Sequence, residues 1–298
     1  MTDDAFAHPR TLRLDGGPLG VYEAGPADAP TVVLLHGAML DTAALTWRHL
    51  MPALAARWNV LAVDLPRHGL SRPWTGRVDQ PRMETVLDEL LEQVGVRQTS
   101  LVGLSMGAGV ALGYALTRPD RVSALVAMNP GGLDARRPWQ LLTWLVLRSG
   151  ALLRASTRWT AGPRYLRRTM SRHLANGTRT RDFDVLMRLI EAEARQRVEH
   201  REPALDDWQV DAYGPTSMRL DFTPSLPVLR MPSLWLHGRD DPLVTEGVMR
   251  RAAALAQNGE FRSVDGAGHL IPLDAPDQIA EVVGTFLDTV HGHGCPHP

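Results

Sequence analysis

The sequence predicts an α/β fold in which a mostly parallel sheet carries helices on both faces. Apolar runs bounded by turn residues alternate with helical stretches over the first 130 residues, and this alternation is typical of repeated strand–helix–strand units. Strand patterns return after residue 229, whereas the stretch between is helical. We therefore expect one core built from residues 1–130 and 229–298, interrupted by a helical cap insertion over residues 131–228.

Each predicted strand is a short, continuous apolar run, the pattern of a strand that is buried on both faces. The predicted strands cover residues 31–37, 59–66, 99–105, 122–130, 232–238 and 259–268. Helical patterns cover residues 47–58 and 82–95, a third helix follows Ser105, and residues 276–290 form a closing helix.

The composition is that of an ordinary globular protein and excludes several classes of function. The chain has 298 residues and a net charge of −1, so no overall field favours nucleic acid or an acidic membrane. The start, MTDDAFAHPR, has no apolar signal-peptide core, and the single Cys295 allows no internal disulfide. We expect a cytoplasmic protein. The chain contains no lysine, which excludes a catalytic lysine.

A serine in the stretch LVGLSMGAGV is the first candidate for catalysis. Gly103-Leu104-Ser105-Met106-Gly107 lies between an apolar strand and a helix, where a nucleophile elbow presents its hydroxyl above the sheet. Flanking glycines let the backbone pass through such a sharp turn, and the helix N-terminus favours developing negative charge. The alternative is an ordinary helix-capping serine.

A base and an acid for this serine are offered by two later loops. His269 lies in a glycine-rich loop between the last strand and the last helix, and Asp240 and Asp241 follow the preceding strand. Loops in these places lie over the carboxyl edge of a parallel sheet, where active sites of α/β folds form. The order serine, aspartate, histidine matches this elbow type, while the earlier acid position holds Asn129.

The remaining histidines are expected to have structural roles. His36 and His237 each end a strand before a glycine and support their loops, and His8, His49, His173 and His200 are surface or packing residues. The terminal stretch HGHGCPHP has metal-binding side chains, but a disordered segment is the expected state there. We expect neither a metal nor a cofactor.

An oxyanion hole completes the predicted site. One backbone N–H is expected from Met106, the residue after the serine, and a second from the loop after the strand VVLLHG, at Ala38 or at Met39. The turn at His36-Gly37 would aim that amide.

Together these motifs resemble the α/β-hydrolase superfamily. The resemblance rests on HGAM (36–39), DLPRHGLS (64–71), GLSMG (103–107), HGRDDPLV (237–244) and GAGHLIPLDAP (266–276). It implies an esterase-like serine hydrolase with a helical cap, and it selects Asp241 over Asp240, since the acid of the family lies three residues after the glycine. One departure is Arg67, which stands where the family loop has a glycine.

The resemblance also separates this chain from some relatives. Haloalkane dehalogenases and epoxide hydrolases of this fold use an aspartate nucleophile, whereas the elbow of this chain carries Ser105. Plant-type hydroxynitrile lyases use a lysine, which this chain lacks. Cleavage of a carboxylic ester of a hydrophobic small molecule, through an acyl-enzyme on Ser105, is the expected activity. Lactonase, thioesterase, perhydrolase and carbon–carbon bond hydrolase chemistry on the same triad remain alternatives, as does a non-catalytic binding protein. The sequence does not indicate an oligomeric state.

The cap insertion combines an apolar stretch with a basic one. Apolar side chains dominate residues 139–153, and residues 154–181 contain eight arginines and no acid. We expect the apolar residues to pack against the core and the arginines to form a solvated face. The alternatives are a pocket for an apolar ester, or a basic amphipathic face that docks on a membrane or a protein.

Overall fold

The predicted strands lie side by side in one sheet of the computed structural model, which describes residues 4–292. The strands are β1 (Arg10–Leu14), β2 (Gly17–Ala24), β3 (Thr31–Leu35), β4 (Asn59–Val63), β5 (Thr99–Leu104), β6 (Val122–Met128), β7 (Ser233–Gly238) and β8 (Gly259–Val264). Their order is β1-β2-β4-β3-β5-β6-β7-β8. The pairs from β4 to β8 are parallel, while β2 pairs antiparallel with β1 and β4.

The antiparallel hairpin of β1 and β2 was not predicted. Its turn uses Gly16, which adopts a φ of 103°, a conformation that favours glycine. The strand β2 contains Pro18 and Gly20, two residue types that weaken a strand pattern. Gly20 is required by close packing, because a Cβ there would lie 2.7 Å from the Leu70 side chain.

Helices connect the strands as the sequence predicts, with some additions. The helices are α1 (Ala43–Thr46), α2 (Leu50–Leu54), α3 (Gln80–Gln93), α4 (Met106–Thr117), α5 (Gln140–Leu147), α6 (Gly150–Thr160), α7 (Pro163–His173), α8 (Phe183–Glu199), α9 (Asp207–Asp211), α10 (Glu246–Leu255), α11 (Ile271–Asp274) and α12 (Pro276–His291). The pattern at 47–58 predicted one longer helix where the short α2 and a turn lie, and α10 was not predicted.

The core has two apolar layers, one on each face of the sheet. One layer joins the sheet to α3, α4 and α10, and the other joins it to α2 and α12. Every residue of β3, β4 and β5 is buried, because helices cover both faces of these central strands. The predicted α/β-hydrolase architecture, a mostly parallel sheet with helices on both faces, is confirmed.

The helices α5 to α9 lie between β6 and β7, in the stretch that the sequence analysis proposes as the cap. Both ends of this stretch pack into the core, since Leu133, Trp208 and Leu226 belong to the same apolar layer as the sheet. In its middle, Leu186 and Ile190 of α8 form a third cluster with Leu45 and Leu273. The boundaries 131–228 therefore remain a proposal.

The expectation that the apolar residues of 139–153 pack against the core is wrong for most of them. Leu147 and Leu153 are buried, but Trp139, Leu141, Leu142, Leu145, Val146 and Leu152 are exposed. The helix α5 is apolar on nearly all sides, whereas the structure covers only one of them. Within residues 4–292, no helix has the length and apolar character needed to cross a membrane.

Candidate active site

Ser105 stands at a strained turn between β5 and α4. Its φ of 53° and ψ of −112° lie outside the regions that residues with a side chain usually adopt. Glycines on both sides permit the turn. A Cβ at Gly103 would lie 2.5 Å from the Ala108 backbone, and one at Gly107 would lie 2.1 Å from the Leu35 carbonyl oxygen. The local sequence therefore produces a nucleophile-elbow geometry.

The loops after β7 and β8 bring Asp241 and His269 together. The Nδ1 of His269 lies 2.8 Å from Oδ2 of Asp241, and the Asp241 carboxylate is fully buried. Its other oxygen accepts the backbone N–H groups of Leu243 and Val244, at 2.7 and 3.3 Å. Asp240 is exposed instead. An Nδ1–H that donates to this carboxylate leaves Nε2 of His269 as the basic nitrogen.

Asn129 holds these two loops against each other. Its side-chain amide donates to the carbonyl oxygens of Gly268 and His269, at 3.3 and 3.0 Å, and its carbonyl oxygen accepts the N–H of Gly238. This residue follows β6, at the earlier acid position. An amide suits the place because it both donates and accepts. Asn129 thus ties the histidine loop to the β7 end of the acid loop.

In the loop after β3, carboxylates bind the backbone amides on either side of Ala38. The N–H of Gly37 donates to Asp41 at 2.7 Å, and the N–H of Met39 donates to Asp206 at 2.6 Å. Among the described residues, the N–H of Ala38 has no acceptor. Of the two amides predicted for this loop, Ala38 is therefore the one available to a ligand. Met106 opens α4, where the first N–H groups lack helical partners.

Two buried polar residues shape this loop from within. Asp41 accepts hydrogen bonds from Gly37, Thr42 and Thr46, and burial raises its pKa to about 6. His36 lies 2.7 Å from the Gly37 carbonyl oxygen through Nδ1, and its Nε2 accepts the N–H of Leu65. Burial, together with the nearby His68, holds the pKa of His36 well below its usual range. His36 is thus a neutral structural residue.

A buried ionic cluster links the cap stretch to this loop. We call it the Asp206 cluster, and its members are His68, Arg72, Glu193, Arg197, Glu202 and Asp206. The guanidinium of Arg197 lies 2.5 Å from Asp206 and that of Arg72 lies 2.5 Å from Glu193 and 2.9 Å from Glu202. Burial by itself would raise the pKa of Asp206, but Arg197, His68 and the Met39 hydrogen bond hold that pKa well below its usual range.

Arg67 provides a second link between the core and the cap stretch. It stands where the corresponding loop of the family often has a glycine. Its φ of 65° shows that it adopts the left-handed conformation that glycine adopts more readily. Its guanidinium donates to Asp207 at 2.9 Å and to the Gly76 carbonyl oxygen at 2.6 Å. The substitution therefore keeps the backbone conformation and provides a contact to α9.

Ser105 and His269 border one apolar cavity of about 240 Å³. Its wall includes one face of α7, formed by Leu166, Thr169, Met170 and His173, together with Leu45, Ile190, Leu243, Leu270 and Leu273. His173, expected to be a surface or packing residue, thus lies in the wall of this cavity. The spacing i, i+3, i+4, i+7 from Leu166 was the signal that could have placed it there.

The described residues offer no group of three or more histidine, cysteine or acidic side chains that could hold a metal ion. The terminal residues His293, Cys295 and His297, which carry metal-binding side chains, lie outside the described residues.

Comparison with known proteins shows the family of this chain. A family model described as the alpha/beta hydrolase fold matches residues 30–276, and the chain belongs to this family. Epoxide hydrolase A from Mycobacterium tuberculosis is 29% identical over 93% of this chain and 96% of its own length. The pimeloyl-[acyl-carrier protein] methyl ester esterase from Xanthomonas campestris is 30% identical over 87% and 95%.

A solved structure with a similar fold is the carboxylesterase CesB from Bacillus subtilis. It superposes with a TM-score of 0.74 at 19% identity, covering 96% of this chain and 95% of its own. Family membership and these relatives identify the chain as a hydrolase.

We predict that Asp206→Asn lowers the free energy of unfolding by about 3 kcal/mol, because it leaves the buried guanidinium of Arg197 undercompensated. It should also lower kcat, since the Met39 amide loses its ionised acceptor and the adjacent Ala38 amide shifts. Urea unfolding and steady-state kinetics measure the two effects. The control is Asp211→Asn, which breaks the more exposed pair with Arg77 and should cost less than about 1 kcal/mol. Equal losses in both variants would contradict the prediction.

We predict that wild-type protein loses stability relative to Asp41→Asn as pH rises from about 4 to about 6. Burial raises the pKa of Asp41 from 3.8 to about 6, so in this window the folded state holds a proton that the unfolded chain has released. Stability from this group is thus present at the acid end and is lost by neutral pH, by at most about 3 kcal/mol.

Urea unfolding at half-unit pH steps measures this difference. The exposed Asp28→Asn is the matched control. The difference between its free energy of unfolding and that of the wild type should not change with pH. Burial also raises the pKa of Asp274 to about 6. This group is present in all three proteins, so its contribution cancels in the differences between their free energies of unfolding. A pH-independent gap between the wild type and Asp41→Asn would contradict the prediction.

Proposed function

We propose that this protein is a serine hydrolase that cleaves carboxylic esters of hydrophobic small molecules through an acyl-enzyme on Ser105. The observation that carries the proposal is the 2.8 Å contact of His269 Nδ1 with the buried Asp241, because His269 and Ser105 border the same cavity. The esterase relatives support it. The catalytic residues would be Ser105, Asp241 and His269, with the N–H groups of Ala38 and Met106 as the oxyanion hole.

The reaction follows from the roles of these groups. Nε2 of His269 takes the proton of Ser105 as the hydroxyl oxygen attacks the ester carbonyl, and Asp241 stabilises the imidazolium. The N–H groups of Ala38 and Met106 hold the negative oxygen of the tetrahedral intermediate. Its collapse breaks the ester bond, and the leaving alcohol takes the proton from His269. Water, activated by the same histidine, then releases the acid and restores Ser105.

The apolar cavity and the position of the serine select among related reactions. Epoxide hydrolases of this superfamily resemble this chain overall, but their nucleophile is an aspartate and position 105 is serine. Acyl transfer is the chemistry that a serine, a histidine and paired amides serve. The cavity wall is made mostly of leucine, isoleucine and methionine, which favours an apolar acyl or alcohol group.

We predict that Ser105→Ala abolishes hydrolysis of nitrophenyl esters, with kcat reduced by about 10⁴- to 10⁶-fold, because the members of a triad act as a unit. A fluorophosphonate probe should label the wild type at Ser105 and leave the variant unlabelled, as intact mass reports. The control is the exposed Ser217→Ala, which should behave as the wild type. Turnover that persists in Ser105→Ala would overturn the proposal. An unlabelled, inactive wild type would instead favour a non-catalytic binding protein.

We predict that kcat/KM rises with acyl length from acetate until the cavity is filled. Each buried methylene contributes about 0.8 kcal/mol, or about a fourfold gain per carbon. Met170 lines the cavity, and Met170→Trp would fill part of its volume. This variant should shift the optimum to shorter esters. Tyr165→Trp lies outside the cavity lining on the same helix and should not. A steady fall in kcat/KM from acetate onward would contradict the apolar acyl site.

A further inference from the structure

An exposed apolar surface on α5 and α6 has no function in the proposed reaction. We call it the Trp–Leu surface, formed by Trp139, Leu141, Leu142, Leu145, Val146, Leu152 and Trp159. Trp139 is 80% exposed and Trp159 is 72% exposed, although tryptophan is a residue that folding usually covers. None of these residues borders the cavity at Ser105. Such a cluster marks an interaction site in a folded protein.

The helical spacing puts these residues on the outward side of each helix. In α5 the exposed positions 141, 142, 145 and 146 repeat at three and four residues, and the buried Gln140 and Leu147 lie on the opposite side. In α6, Leu152 and Trp159 lie in one row, while Leu153 and Thr157 face inward. Only Arg148 and Ser149 separate the two helices. Both helices thus present apolar side chains to solvent.

The segment that carries this surface has charged side chains of a single sign. Residues 135–181 contain 11 arginines and no aspartate or glutamate. Beside the apolar row of α6 stand Arg154 and Arg158, which have no carboxylate partner among the described residues. Arg148 lies over the Trp144 ring at 4.9 Å. Arginines at the flank of an apolar helix face can reach anionic head groups while the apolar face enters the hydrocarbon boundary.

We propose that the Trp–Leu surface docks this protein on lipid bilayers that contain anionic phospholipid. Tryptophan and leucine supply apolar burial, and arginines supply attraction to phosphate, the pair of features that interfacial helices combine. A second copy of the chain fits less well, because a two-fold dimer through this surface would place the arginine-rich segments of the two copies against each other. The proposal does not depend on the ester chemistry at Ser105.

Docking here would bring the cavity helix close to the bilayer. The helix α7 begins at Pro163, three residues after α6 ends at Thr160, and the ring of Tyr165 lies 5.1 Å from that of Trp159. The next turns of α7 supply Leu166 and Met170 to the cavity wall. An apolar substrate dissolved in lipid would thus be concentrated near the helix that lines its site.

The test is co-sedimentation with vesicles of phosphatidylcholine alone and of phosphatidylcholine with 30% phosphatidylglycerol. We expect wild-type protein to bind only the anionic vesicles, and to bind them less well as salt rises. Two double variants, Leu142→Gln with Leu145→Gln and Arg154→Gln with Arg158→Gln, should each weaken binding at least tenfold. Ser105→Ala should bind as the wild type does, which separates this proposal from the proposed function.

Matched controls lie on other exposed parts of the molecule. Val228→Gln and the pair Arg230→Gln with Arg251→Gln change exposed residues outside the surface and should leave binding unchanged. Circular dichroism checks that each variant folds. Quenching of tryptophan fluorescence by brominated lipid gives a second measurement on unaltered protein, since Trp139 and Trp159 are exposed while Trp47, Trp58 and Trp235 are buried.

Three results would overturn the proposal. The first is the absence of wild-type binding and of quenching with anionic vesicles. The second is binding that neither double variant weakens. The third is a concentration-dependent dimer in gel filtration that Leu142→Gln with Leu145→Gln abolishes, which would assign the surface to contact between copies of this chain.

Discussion

The close approach of α4 to the backbone of β3 is the constraint on which the site depends. The helix passes so near that a Cβ at Gly107 would lie 2.1 Å from the Leu35 carbonyl oxygen, so only glycine fits. That approach forces the chain to turn at Ser105 within one residue, and the strain at this residue is held by the packed strand and helix on either side. The same contact sets α4 against the end of β3, where the loop with the free Ala38 amide begins.

The Asp206 cluster extends this arrangement from the core to the cap stretch. A carboxylate near α9 accepts the Met39 amide at 2.6 Å, so a residue far along the chain determines which amide of the β3 loop stays free. Buried ion pairs add little net stability compared with apolar packing, but breaking one is costly. The main effect of the cluster is therefore to define one relative position of the β3 loop and the cap stretch. Its net contribution to the free energy of unfolding is small.

The elements that could be predicted are those whose own stretch of sequence carries a recognisable pattern. Buried parallel strands are continuous apolar runs, and the elbow, histidine and acid loops each carry glycine or proline at fixed places, so the strand positions and the residues brought together at Ser105 could be proposed. The roles of Asp41 and Asp206 could not, because the backbone amides of Gly37 and Met39 that donate to them leave no pattern in the sequence. The exposure of α5 was missed for a related reason. An apolar helix looks the same in sequence whether the fold covers it or not.

Two halves of the cap stretch are held to the core with very different strength. Near α8 and α9, Arg72 of the core pairs with Glu193 and Arg67 of the core pairs with Asp207. The helix α7, in contrast, buries only Leu166 of its eleven residues. Outward displacement of α9 would break the Met39 hydrogen bond and disturb the amide beside Ser105. Displacement of α7 would not. A movement of the cap stretch on the α7 side would therefore leave the Met39 hydrogen bond intact, whereas a movement of α9 would not.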